Sequence, residues 1–475
     1  MLRKRIPRLV MALCAASAPA LAFAQPRPGQ APPARPAQPA QAEPPPPAVD
    51  PEALKALESQ IRALEERTKQ AEAKAGATAD QLAALKAELE LRKAEEKAAA
   101  AKAAAEKAEA ERKAKEEPEP QITFGGYVEA FYQWNINDPE NRITNFRGFD
   151  NRHNSFTISN VALDGQLAYR GVQARVTLQA GHTPDTYYLA EPLSPGAGGA
   201  STSSLDTWRF VQQAYAGYEF DALKGILVQG GIFLSPIGPE SIAVKDNWQW
   251  SRSNLFFGLP FYHTGLRATV KATDEWAVTA AVVNGWNSVV DNNPEKSGYL
   301  QLNYTSDRLA WSLLYFGGIE RPDGVAEGDP WRSTFDTHVT WTATDWLKIQ
   351  PHFDAGFEPN DFGTSYWLAG ALAAQFKMID WLYLGVRGDV FYEKAAEDAV
   401  GEAGRIFWPV DWVASQTATL EARAADHISA RLEYRHDHAA GDLYFAGDVA
   451  VDADGAFVPD ARYQDTITLG ATAWF

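Results

Sequence analysis

The sequence predicts a mainly β protein: an antiparallel transmembrane β-barrel of about sixteen strands, preceded by a long α-helical coiled-coil segment. Three observations carry this expectation. The chain ends in an alternating strand, Tyr463 to Phe475 (YQDTITLGATAWF), whose last residue is aromatic. The same period-two pattern recurs through residues 121–475, with short and long connections in alternation. The apolar faces of these segments stand opposite faces dense in charge, so water and lipid exchange their usual places.

The chain begins with a predicted secretory signal, residues 1–24. Arg3, Lys4, Arg5 and Arg8 precede an apolar core from Leu9 to Ala18, and Ala22-Phe23-Ala24 forms a cleavage site. That core is too short to span a bilayer as a helix. The single cysteine, Cys14, lies within it, so the mature chain is expected to carry no disulfide and no thiolate site. Residues 25–51 read as a linker of polyproline type, with eleven prolines between positions 26 and 51.

Residues 52–117 are rich in Ala, Glu and Lys. Leu54, Ile61, Thr68, Ala75, Leu82 and Leu89 recur every seventh residue, and Leu57, Leu64, Ala71, Thr78 and Leu85 follow three places later. This is an a/d heptad frame, and it fades after Lys93. It fits either a solvated helical spacer or an oligomerising coiled coil. A continuous helix of this length reaches roughly 100 Å. Pro118 and Pro120 are expected to stop it before the first strand and to root it on the periplasmic side.

All 15 Trp and all 17 Tyr lie beyond residue 120. Residues 1–120 carry a net charge of +2 and residues 121–475 a net of −19. So acidic a body argues against a nucleic-acid partner. No helix-length apolar run follows the signal, which leaves a soluble β protein or a barrel.

Sixteen alternating segments begin near residues 122, 157, 172, 208, 225, 263, 275, 298, 308, 333, 346, 365, 381, 413, 427 and 463. Short turns fall near Gly171, Lys224, Asp274, Asp307, Asp345, Asp380 and Asp426. Long loops are predicted at 135–155, 182–206, 236–262, 286–297, 318–332, 358–364, 394–412 and 436–462. Regular alternation of loop length suits a barrel with short periplasmic turns, and a soluble sandwich has no reason for it. The polar faces hold sets such as Arg387, Asp389 and Glu393, or Glu421, Arg423, Arg431, Glu433 and Arg435. Their number points to a water-filled lumen, because dry burial of unpaired ions is costly. Pro351, mid-strand, predicts a bulge or a misplaced strand. Phe475 is the predicted lipid-side residue of barrel closure, beside the strand starting at Gln121.

Residues 230–305 are the most distinctive. They include Gly231 to Glu240 (G-x-F-x-x-P-x-G-x-E), His263-Thr264-Gly265-Leu266-Arg267-Ala268, and Asn284-Gly285-Trp286 followed by Asp291-Asn292-Asn293. This block resembles the OmpL-like β-barrel porin family of Gram-negative bacteria, with the likeness covering roughly 121–475. The resemblance implies an outer-membrane channel for passive diffusion of small hydrophilic solutes or ions, with membrane lipid around it and a possible homotrimeric assembly.

In sixteen-stranded general porins the third extracellular loop folds inward and narrows the pore. Loop 236–262 is third here and carries Glu240, Lys245, Asp246 and Arg252. The expected constriction sets them against Arg175, Arg267 and Lys271, so that opposed charges orient polar solutes. The other reading of this loop is a plug over the barrel mouth. The acidic loop mouths favour cations. The alternative function is an envelope tether, with the barrel anchoring a periplasmic coil to peptidoglycan or another partner. No nucleophile elbow and no complete metal-ligand set is legible. His436 and His438 lack a third ligand, so no enzyme activity, cofactor or metal is expected.

Overall fold

A computed structural model describes residues 50–70, 76–115, 119–192 and 203–475. The predicted signal peptide, Cys14 and the proline-rich linker up to residue 49 lie outside the described residues. The described chain divides into two compact units, a helical one that ends at Glu117 and a β one that begins at Pro118.

The helical unit contains α1 (Pro51–Gln70) and α2 (Gly76–Lys115). Their heptad residues meet within the chain: Leu54, Leu57 and Ile61 are buried with Leu89. Glu65 pairs with Lys86 at 3.0 Å, and Glu58 lies 3.8 Å from Lys93. One partner climbs in number as the other falls, so the helices run antiparallel. A single straight helix would hold residues 65 and 86 about 30 Å apart. The expected continuous rod is therefore a helix pair, and the apolar seam that invited a partner chain is largely satisfied at home.

The β unit is a closed antiparallel barrel of sixteen strands. In order they are β1 (Gln121–Asn135), β2 (Ser155–Tyr169), β3 (Val172–Gly181), β4 (Val211–Phe220), β5 (Ile226–Leu234), β6 (Tyr262–Lys271), β7 (Trp276–Val283) and β8 (Ser297–Thr305). Then follow β9 (Leu309–Ile319), β10 (Trp331–Thr344), β11 (Leu347–Asn360), β12 (Gly363–Ile379), β13 (Leu382–Lys394), β14 (Trp412–Ala425), β15 (Ile428–Ala439) and β16 (Tyr463–Trp474). Each strand pairs with its sequence neighbours, and β16 closes on β1.

β15 shows why the chain folds this way. Ile428, Leu432 and Tyr434 are exposed, while Arg431, Glu433, Arg435 and Asp437 between them are buried. Phe124, Leu163, Leu266, Leu300 and Leu469 likewise point outward and are exposed. An apolar belt of this kind is paid for only by lipid, and closure leaves no strand edge unsatisfied.

The seam is backbone-deep. Gly126 and Phe475 exchange hydrogen bonds, N–H to C=O, at 3.3 and 3.1 Å. A Cβ on Gly126 would lie 2.9 Å from the Phe475 ring and 2.6 Å from the Ala162 carbonyl. Phe475 thus lies beside β1, as expected, opposite Gly126, and the first residues of β1 pair only with β2.

Two expectations change. Pro351 produces no bulge: β11 holds one register with β10 on either side of it and pairs through it with β12. A strand residue points its N–H at one neighbour only, so the proline forfeits bonding on the β10 side and nothing more. The predicted loop 358–364 is a two-residue turn. Asn360 pairs with Gly363 and its side chain accepts the Phe362 N–H at 3.0 Å.

Candidate functional site: the lumen and its inward loop

The third long loop, L3 (235–261), lies inside the barrel. Its first stretch is held near β10, where the Gly238 N–H donates to Asp336 at 3.3 Å. It then meets β13 through Glu240 and Arg387, 2.8 Å apart. At β1, Glu129 accepts the Val244 N–H at 2.5 Å. At β15, Glu433 accepts the N–H groups of Trp250 and Ser251 at 2.6 and 3.0 Å. Returning to β13, Asp389 accepts the Asn254 N–H at 3.0 Å.

The wall arginines take the loop's carbonyls. Arg431 donates to Val244 and Asn247 at 2.6 and 2.7 Å, and also pairs with Glu421 at 2.8 Å. Arg435 donates to the Arg252 carbonyl and to Asn254. Arg387 donates to the Ser251 carbonyl at 2.9 Å. A loop has few internal partners for its backbone, so a charged wall that supplies acceptors and donors in turn fixes it. Apolar contact adds to this. Trp250 packs against Phe131, ring centroids 5.9 Å apart, and covers Gly470, where a Cβ would come within 2.2 Å of the indole.

The charges of β13–β15 are therefore not bathed in water as expected. Arg431 and Glu433 are each 1 % exposed. Burial is tolerable because each ion has charged or backbone partners. Glu129, Arg387, Asp389, Arg431, Glu433 and Arg435 were legible as lumen charges; their role as the seat of L3 was not. The one signal is their density on β13–β15 compared with the sparse charge on β7–β9.

The residues predicted for a constriction separate into groups. Glu240 and Arg252 are structural. Glu240 accepts the Ser253 N–H at 3.0 Å, and Arg252 donates to the carbonyls of Ser241, Trp250 and Ile242 within its own loop while its guanidinium lies 5.1 Å from the Phe149 ring centre. Lys245 and Asp246 pair at 2.8 Å on the free face of L3. They line, with Asp164, Arg175, Thr177 and Gln213, a cavity of about 270 Å³. Arg175 pairs with Asp164 at 2.7 Å, side by side on β3 and β2 along the wall of that cavity. Arg267 lies further round, over the Phe233 and Tyr215 rings at 4.4 and 5.1 Å, donating to Gln229 at 2.8 Å. Lys271 is exposed at the end of β6. The structure thus brings Arg175 to Lys245 and Asp246, and leaves Arg267 and Lys271 outside that cavity.

A family model described as putative beta-barrel porin-2, OmpL-like, matches residues 121–474. The chain belongs to this porin family. No curated protein matches it. Among solved structures, the barrel is similar to the in-vitro folded OmpT of Vibrio cholerae in its trimer form, at 10 % identity, over 75 % of this chain and 100 % of that one, with a TM-score of 0.50. It is also similar to the anion-selective porin from Comamonas acidovorans, at 11 % identity, over 75 % and 100 % of the two chains, with a TM-score of 0.49. At such identity the likeness to OmpT shows the fold alone.

The other long loops of this porin pack at the same end. Phe149 of the first loop meets Phe256, Phe257 and Phe261 of L3. Arg147, in the same loop, bonds Asp150 and reaches Asp437 at 3.2 Å. Burial alone would depress its guanidinium, and the two carboxylates instead hold it above its ordinary value. Glu191 accepts from Tyr262, Ser203 and Val289 at 2.7, 2.7 and 2.9 Å, tying the second and fourth loops to β6. His352 and His338, on inward faces of β11 and β10, flank Asp336, at 2.5 and 3.1 Å. His436 instead faces outward and bonds Asp465 at 2.9 Å. Among the described residues no group of His, Cys, Asp or Glu is arranged to hold a metal.

Proposed function

We propose that the barrel is a water-filled outer-membrane channel for passive diffusion of small hydrophilic solutes or ions, narrowed by L3. One observation carries this reading. L3 is fastened to the wall at β8 and β10, along β13–β15 and at β1, while polar side chains elsewhere on the wall, including Arg175, Tyr215, Arg267 and Asn303, stay half-buried and Lys271 and Lys348 stay exposed. A fully plugged barrel would cover these as well. In planar bilayers, deletion of part of 240–255 should raise single-channel conductance; an unchanged conductance would reject L3 as the constriction.

The helical unit is read as periplasmic, on the side of the short turns, where both ends of the barrel sequence lie. Beyond the paired region, most of residues 94–109 are exposed, which favours a contact outside the chain, with peptidoglycan or with neighbouring copies in a trimer. Removing residues 25–118 tests this. Open pores together with a detached envelope would support channel and tether at once.

A further inference from the structure

The net charge of the chain is −17, yet the part of the lumen left open by L3 is basic. The wall carboxylates are occupied. Glu129, Asp389 and Glu433 each accept backbone N–H groups of L3 and are almost completely buried. Beside them Arg387 pairs with Asp389 at 3.3 Å, Arg431 with Glu421 at 2.8 Å and Arg435 with Asp437 at 2.7 Å.

What remains in reach of solvent has the opposite balance. Arg267 is half-buried, Lys271 and Lys348 are exposed, and among the described residues no carboxylate lies within ion-pair distance of any of them. All three occupy inward positions of β6 and β11 towards the short-turn end. The acids on that surface are Asp164, spent on Arg175 at 2.7 Å, and Glu219, which accepts from Gln173 at 3.1 Å. On the free face of L3, Lys245 and Asp246 cancel each other. The surplus acid of the chain sits in exposed loops and turns, at Asp448, Asp452 and Asp454 and, at the short turns, at Asp307, Asp345 and Asp426.

We infer that this channel prefers small anions over small cations, with Arg267, Lys271 and Lys348 setting the preference. The inference rests on the channel reading above and names its solute class. A narrow, low-dielectric passage focuses the field of the charges that line it, and basic linings select anions. Exposed loop carboxylates act through bulk electrolyte, where screening confines their field to about 10 Å at 0.1 M salt. The charges inside therefore outweigh the more numerous charges outside.

The test is the reversal potential of the full chain in a planar bilayer between 1 M and 0.1 M KCl. The expected sign is that of chloride preference. The variant Lys271→Glu/Lys348→Glu should lower the chloride-to-potassium permeability ratio at least about threefold, and Lys271→Gln/Lys348→Gln should fall between. Both lysines are exposed, so these changes leave the packing intact, and heat-modifiable migration on gels verifies a folded barrel. Potassium preference in the wild type, or a ratio unmoved by charge reversal, would overturn the inference while leaving the channel reading intact. Absence of any conductance would overturn the channel reading, and this inference with it.

Discussion

Glu433 is the most informative single residue to change. Its carboxylate accepts the N–H groups of Trp250 and Ser251 at 2.6 and 3.0 Å and the Thr419 hydroxyl at 2.7 Å, and it is 1 % exposed. In Glu433→Ala two backbone donors lose their acceptor while L3 stays in place. Each buried donor left unpaired costs about 1–3 kcal/mol, so the seated loop is weakened by about 2–6 kcal/mol relative to a released loop whose donors meet water. Since about 1.4 kcal/mol is a factor of ten, the released population rises roughly 30-fold to 10⁴-fold. The barrel ladder is untouched, because Glu433 bonds the loop through its side chain and its strand neighbours through its backbone. Single-channel recording should then show larger or flickering conductance, and hydrogen exchange should quicken in residues 244–254. Glu433→Gln retains one acceptor oxygen and should fall between wild type and Ala. Unaltered conductance and unaltered exchange in Glu433→Ala would refute the claim that wall carboxylates hold the loop.

Further predictions follow from other parts of the molecule. Deleting Phe475 removes both hydrogen bonds to Gly126 and the ring that covers it, so the folded fraction on refolding into detergent or vesicles should drop severalfold; full yield would count against its role in closure. Glu191→Ala leaves the Val289 and Val290 N–H groups without their acceptor, while the Tyr262 hydroxyl keeps the Asn287 carbonyl, and should destabilise the loop end by about 2–5 kcal/mol, read as a lower unfolding temperature or faster local exchange. In the helical unit, Ile61→Asp places a charge in the apolar cluster formed with Leu54, Leu57 and Leu89. Spin labels at positions 58 and 93, close in the wild type, should move apart by tens of ångströms, and a retained short distance would show that the helix pair does not depend on that cluster.

The strands were legible because their determinant is local. Every start predicted from alternation lies within three residues of the observed one, the largest departure being at β4. Period two survives in a barrel, since each position faces either lipid or lumen. The turn at Asp361-Phe362 was hidden for a local reason as well: polar residues flanking it extend β11 and β12 beyond the membrane belt, and polarity reads as loop. The helix pair was hidden for a different reason. A heptad seam records that an apolar stripe needs a partner and does not say whether the partner is another chain or the same one. Only the contacts of Leu54, Leu57 and Ile61 with Leu89 decide it.

The candidate site divides along the same line. That loop 236–262 carries charge, and that the lumen faces of β13–β15 are dense in it, can be read from residue order. Which charge meets which cannot, because Glu240 and Arg387, or Trp250 and Glu433, are separated by well over a hundred residues and meet only when the barrel closes. By itself the sequence determined the sixteen-stranded barrel, its lipid-facing belt and the aromatic residue at its seam, all properties of short stretches of chain. The tertiary structure decided that the mixed charges of β13–β15 seat L3, that Arg267, Lys271 and Lys348 keep no carboxylate partner among the described residues, and that the heptads fold back on themselves. Those outcomes depend on pairing across distance, where one side chain's charge is cancelled or left free by a neighbour that only the closed fold supplies.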